Sequence, residues 1–233
     1  MIDGIIFDKD GTLFDFRLSW GRWTADLLRM LGSDAAGAAQ LGEVIGYDIA
    51  TGVFAPDSPV IAATPREIAE HMLPHLPDQT LIGLMDQMNR LSAATEMSPA
   101  VALAPLLAGL RARGLKIGLA TNDTEAPATA HLIAAGVFDL FDFVAGCDSG
   151  FGGKPAPGQL LAFAATFGLD PARVAMVGDS HHDLLAGRAA GMYAVAVLTG
   201  IADAADLAPY ADVVLQDINA IPGWIDQLCA TDP

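Results

Sequence analysis

Positive charge is scarce in this chain of 233 residues: 12 lysines and arginines stand against 28 acidic residues, for a formal charge of −16. Such a surface repels phosphate backbones and anionic lipid at long range, which argues against nucleic acid and membrane surfaces as partners. Only three of the cations are lysines, Lys9, Lys116 and Lys154. An anionic substrate would therefore have to be held by a few local cations or by a metal. Cysteine is scarcer still. Cys147 and Cys229 sit in ordinary sequence and make neither a disulfide framework nor a metal cluster, so they read as small, partly buried, reduced thiols. Nor is there an apolar run of the roughly 18 residues that would suggest a membrane span. Asp3 follows the N-terminus at once, with no basic region leading into an apolar stretch, so a signal peptide is not expected. The expectation is a cytoplasmic protein, as a monomer or small homo-oligomer.

What the chain does have is apolar mass. With 52% hydrophobic residues it can bury a sizeable core, as one α/β domain or a domain carrying a smaller insert. Short apolar runs at 2–8, 115–121, 141–146, 173–179, 193–199 and 211–216 read as strands, several of them continuous rather than alternating, as in strands covered on both faces. Between the later ones lie helical patterns that each stop at a glycine, for example GQLLAFAATFG and HHDLLAGRAAG. This alternation predicts a doubly wound parallel sheet with helices on both faces. Residues 16–95 interrupt it and read as an all-helical insert, in which Thr64, Pro65 and Glu67 open a helix with a capping box. Residues 51–60 read as a loop between its helices. The domain expectation is a core of residues 1–15 and 96–233 with a cap of residues 16–95.

In such a sheet, ligands bind beyond the carboxyl ends of the strands, so polar residues at several strand ends should converge. Four places qualify. The first strand ends in GIIFDKDGTLFD, with Asp8 and Asp10 two residues apart; the second ends LATND, with Thr121 and Asn122. Lys154 lies in the loop GFGGKPAPG, and the fourth strand ends GDSHHD, with Asp179 at its tip and Asp183 one helical turn on. Each alone has a plain structural explanation: turn formers, a strand-end cap, a solvated loop lysine, a helix cap. Together, clustered carboxylates ask for a hard cation such as Mg²⁺, and a lysine and a threonine complete a site for phosphate.

DKDGTL, LATN, the GGKP lysine and GDSHHD, in this order, resemble the four motifs of the haloacid dehalogenase superfamily of phosphohydrolases, and the helical insert falls where one subclass of that family keeps its cap. Length and layout are similar to the phosphoglycolate phosphatase-like branch. The resemblance implies a Rossmann-like core and a Mg²⁺-dependent phosphatase that hydrolyses a small phosphorylated metabolite, of phosphoglycolate or sugar-phosphate type, through an aspartyl-phosphate. It implies Asp8 as nucleophile, Asp10 as general acid and base, and Thr121 with the main chain of Asn122 as phosphate ligands. Lys154 would pair with nucleophile and phosphate. Asp8, the main-chain oxygen of Asp10 and Asp179 would hold Mg²⁺, with Asp183 supporting the metal or Lys154 and Gly178 letting the backbone pass close. The physics agrees: a carboxylate attacking a phosphate dianion meets repulsion of about 4 kcal/mol per charge pair at 4 Å, which a metal and a lysine must neutralise.

The remaining signals are weaker. Arg17, at the entrance to the insert, is a candidate for a second anionic group on the substrate, or else an exposed hinge residue with its stem on Trp20. Arg66 and Arg90 read as solvated, Trp20 and Trp23 as core of the insert rather than a substrate platform, and His181 and His182 as a solvated turn, the alternative being that either contacts metal-bound water or substrate. Two other functions stay in view: a sugar phosphomutase with the same motifs, which would need a bisphosphate activator, and a non-enzymatic phosphometabolite sensor, for which a nucleophile would be superfluous.

Overall fold

The computed structural model describes residues 2–231. Its elements begin with β1 (Gly4–Phe7), followed by α1 (Phe16–Leu31), α2 (Ala35–Val44), β2 (Tyr47–Asp48), β3 (Val53–Phe54), α3 (Pro65–Met72) and α4 (Leu81–Ala94). Then come α5 (Leu103–Ala112), β4 (Lys116–Ala120), α6 (Glu125–Ala134), β5 (Phe143–Ala145), α7 (Gly158–Phe167) and β6 (Val174–Gly178). The chain closes with α8 (His181–Ala190), β7 (Tyr193–Val197), α9 (Ala204–Leu207), β8 (Val213–Leu215) and α10 (Ile221–Thr231).

All six expected strands join one parallel sheet in the order β5-β4-β1-β6-β7-β8. The chain builds outward from β1 through β4 to β5, then crosses to β6 on the other side. That reversal at β1 opens a crevice beyond the strand ends, which is where a ligand site belongs in this architecture. Side chains alternate across the pleat: Ile5, Phe7, Ile117, Leu119 and Val177 pack with α5, α6 and α10, whereas Ile6, Ala120 and Met176 pack with α7 and α8. The double coverage explains why these strands read as continuous apolar runs. Glycine stops the helices as expected, with Gly168 and Gly191 closing α7 and α8 in the left-handed conformation at φ 63° and 75°.

The insert carries its own apolar cluster, in which Trp20, Trp23, Leu27 and Leu28 of α1 meet Ile68, Met72, Leu84 and Met88 of α3 and α4. The capping box forms as predicted, Thr64 accepting from the Glu67 N–H and Glu67 from the Thr64 N–H. One element departs from the expectation of an all-helical insert. β2 and β3 form a short antiparallel hairpin, and the second strand lies inside the segment expected to be loop. Asp48 closes its turn by accepting from Ala50 and Thr51, and Gly52 supplies the positive φ. Cys147 is half-buried, with its thiol pushed up to about 12 chiefly by burial, while Cys229 is exposed rather than partly buried; both are free. Among the described residues no helix is long and apolar enough to cross a membrane.

Candidate active site

Register sets the geometry. Phe7 pairs with Leu119 on one side and Val177 on the other, so Asp8 lies level with Ala120 and Gly178, one step below Thr121 and Asp179. All the predicted strand-end residues, Asp8, Asp10, Thr121, Asn122, Lys154, Asp179 and Asp183, border one cavity. Lys154 reaches it from the loop after β5. Its Nζ donates to Asp8 Oδ1 at 2.5 Å and to Asp183 Oδ1 at 2.6 Å. The other Asp183 oxygen accepts from the Ser180 N–H and hydroxyl, so Asp183 caps α8 and holds the lysine at once. It comes this close because residue 178 is glycine: a Cβ there would overlap the Asp183 side chain.

The phosphate-end residues are fixed as firmly. Asn122 donates from Nδ2 to the carbonyls of Lys154 and Ala62 at 2.9 and 2.8 Å, and accepts from the Lys154 N–H at 2.8 Å. Its side chain is thus committed to holding the lysine loop and the insert, which leaves the main chain for an anion. Thr121 accepts from the Asp123 N–H at 3.1 Å, and its hydroxyl keeps a proton to give.

Asp8, Asp179 and Asp183 each place a carboxylate oxygen within 4.8 Å of the others, so Asp183 joins the cluster directly, whereas the Asp10 carboxylate does not. Three buried carboxylates against one ammonium leave excess negative charge. Burial, opposed by Lys154 and reinforced by Asp183 and Asp10, lifts Asp8 to about 7; burial and then Asp8 and Asp183 lift Asp179 well above the carboxylate range. A hard divalent cation fits this all-oxygen set, since it supplies the missing charge and restores the ionised forms. The backbone makes room for the Asp179 carboxylate: at Gly11 (φ +87°) and Gly200 any Cβ would overlap it. Thr199 ties these two loops together by donating to the Gly11 carbonyl at 2.5 Å. Neither Thr199 nor Gly200 stood out in the sequence.

Lys9, between the two aspartates, is off the cavity lining and fully buried. Its Nζ donates to Asp123 Oδ2 at 2.6 Å and to His131 Nδ1 at 3.0 Å, and lies 3.3 Å from Asp10 Oδ2 and 5.3 Å from the centre of the Trp20 ring. Burial opposes its charge, but Asp10 and Asp123 outweigh that and hold it protonated. Asp10 is raised by burial, restrained by Lys9. The Trp20 indole also favours ionised Asp10, although neither Trp20 Nε1 nor Asp10 Oδ1 has a hydrogen bond of ordinary geometry. Ser92 of α4 completes the network, giving its hydroxyl to Asp123 and its carbonyl to His131 Nε2.

The insert forms the opposite wall. Phe16, Trp20 and Trp23 recur at helical spacing on the face of α1 that meets the cavity, so the tryptophans line it as well as packing the insert. Arg17 is rotated off that face, lies exposed and does not line the cavity. The histidine pair separates. His181 turns outward to the Asp206 carbonyl and packs edge-on against Tyr210, whereas His182 lines the cavity rather than sitting in a solvated turn. Arg66 is exposed and paired with Glu70, as expected.

The sequence pattern of the haloacid dehalogenase-like hydrolases matches residues 2–191. The chain belongs to this family. Within it, the chain is 30% identical to a phosphoglycolate phosphatase of Rhodospirillum rubrum over 97% of this chain and 91% of that one. It is 43% identical over 95 residues to "Probable phosphatase IndB" of Dickeya dadantii, a match that spans only 41% of either chain. A crystal structure from Haemophilus somnus described as a predicted phosphoglycolate phosphatase superposes with a TM-score of 0.75 over 96% of this chain and 98% of that one, at 20% identity, and so supports the haloacid dehalogenase-like fold.

Proposed function

We propose that the protein is a Mg²⁺-dependent phosphatase of small phosphate monoesters, working through an aspartyl-phosphate on Asp8. The observation that carries this is Asp8 itself: a buried carboxylate on the cavity floor, ion-paired to Lys154, with Asp10 two residues on presenting an oxygen that has no partner. In this reading residues 1–15 and 96–233 form the core and residues 16–95 a cap that covers the site and excludes water. The relatives named phosphoglycolate phosphatase support phosphate-ester chemistry.

Each group then has a task. Asp8 attacks the phosphorus, and the ester oxygen departs. Lys154 neutralises Asp8 and a phosphoryl oxygen, while the Thr121 hydroxyl and the Asn122 main chain hold the phosphoryl group in line. Asp10, raised by burial, gives its proton to the leaving oxygen and afterwards takes one from the water that hydrolyses the aspartyl-phosphate. The metal would be held by Asp8, Asp179 and the main-chain oxygen of Asp10, with Asp183 at its edge. When bound, Mg²⁺ supplies positive charge to the phosphoryl oxygens. Asp183 orients Lys154, and Gly178 admits it.

Phosphate release from p-nitrophenyl phosphate and a panel of phosphorylated metabolites tests the proposal. Chelation with EDTA should abolish turnover and Mg²⁺ restore it, Ca²⁺ poorly, because its larger and looser shell misplaces the in-line attack. Undiminished release after exhaustive chelation would contradict metal dependence, and isomerised product without phosphate release would return the mutase reading.

A further inference from the structure

The cap wall of the cavity says what kind of leaving group it admits. Phe16, Trp20, Trp23, Ile61, Ile68 and Met88 make that wall apolar. Among the described residues lining the cavity, Lys154 is the only permanent cation, and both its carboxylate partners are already in place. His182 is the only other group there that can carry positive charge, and its field falls on Glu67 of α3. The remaining cations of the region point elsewhere: Lys9 lies behind the wall between Asp10 and Asp123, Arg17 is exposed, and Arg66 is exposed and bound to Glu70. Against them stand five aspartates on the lining, Asp8, Asp10, Asp123, Asp179 and Asp183. The Trp20 indole on this wall is neutral and acts on the Asp10 carboxylate, without a hydrogen bond of ordinary geometry.

We infer, resting on the phosphatase reading, that the cavity takes a compact phosphate monoester whose leaving group is neutral and largely apolar. It discriminates against esters whose leaving group carries a carboxylate or a second phosphate. A buried anion without a cationic partner loses its hydration for nothing in return, and here it would also face the aspartates. The space between the walls is a cavity of about 50 Å³, room for only a few waters. A small body fits it. The phosphoglycolate named for the Rhodospirillum relative has a leaving group with a carboxylate, so this wall separates the chain from that substrate.

The test compares 2-phosphoglycolate with its amide, an isostere without the charge, and with propyl phosphate, at saturating Mg²⁺. The amide should exceed the carboxylate in kcat/KM by about 10- to 100-fold. Asn89→Lys, which adds a cation at a half-buried position on the same wall, should shrink that ratio by about tenfold through a lower KM for the carboxylate. Equal or greater kcat/KM for phosphoglycolate would overturn the inference while leaving the phosphatase reading intact; loss of that preference in His182→Ala would then name His182 as the carboxylate's partner. Hydrolysis of none of these esters, nor of p-nitrophenyl phosphate, would overturn the phosphatase reading and the inference with it.

Discussion

His131 should make the fold acid-sensitive by a calculable amount. Its Nδ1 faces the Lys9 ammonium at 3.0 Å and its Nε2 the Ser92 carbonyl at 2.7 Å. Lysine can only donate and a carbonyl can only accept, so the neutral ring protonated on Nε2 satisfies both, whereas an imidazolium would point a second N–H at an ammonium. Burial, and then the Lys9 charge, push its pKa from 6.5 down to about 4. An unfolded chain takes up this proton near pH 6.5 and the folded chain only near pH 4. Between those values the unfolded state binds more protons, so stability falls as pH drops. The full window is worth about 3 kcal/mol, of which about 2 kcal/mol is lost between pH 7 and pH 5. His131→Phe removes the titration and keeps the edge contact with Phe14. At pH 7 the variant should be weaker by about 1–3 kcal/mol, because the Ser92 carbonyl and Lys9 each lose a partner. On going to pH 5 that gap should shrink by about 2 kcal/mol. Urea unfolding of both proteins in EDTA at each pH measures it, and the floor carboxylates, which titrate in both, cancel in the difference. A gap that stays constant with pH would refute the reasoning.

Gly200→Ala should displace the Asp179 carboxylate, which a Cβ at that position would overlap; the Mg²⁺ concentration for half-maximal activity should rise about tenfold or more, and an unchanged Mg²⁺ titration would remove Asp179 from the metal site. Arg17→Ala, at an exposed position off the cavity face, should leave kcat/KM within about twofold for every substrate. A selective rise in KM for esters with a second anionic group would restore Arg17 as a contact.

The strands and the floor of the site were legible because both are written locally. The central strands β1, β4, β6 and β7 are apolar runs that helices cover on both faces, and Asp8, Thr121 and Asp179 follow their strands directly, so topology alone brings them together. The Thr64 to Glu67 box likewise lies within one turn. What stayed hidden depends on distant pairings. The partners of Lys9, Asp123 and His131, lie more than a hundred residues away and are found only once the chain folds. Thr199 and Gly200 become informative only once Gly11 and Asp179 are beside them. The β2–β3 hairpin has two residues per strand, too few for a period to show, although Asp48 and Gly52 carried the turn signal. The double duty of Trp20 and Trp23 was invisible for a different reason: spacing shows that a face is buried, not whether it meets core or cavity.

The central claim is that Asp8 carries the phosphoryl group while Asp10 moves the protons, and the most direct test is Asp10→Asn with p-nitrophenyl phosphate. Nitrophenolate leaves without a proton, so the first step should survive; hydrolysis of the aspartyl-phosphate needs Asp10 as base, so the second should stall. Rapid-quench kinetics with intact-mass and peptide mapping should show a burst of nitrophenolate matched by phosphate trapped on Asp8, and no such species in Asp8→Asn. Steady turnover without a burst, or phosphate on any residue other than Asp8, would contradict the account.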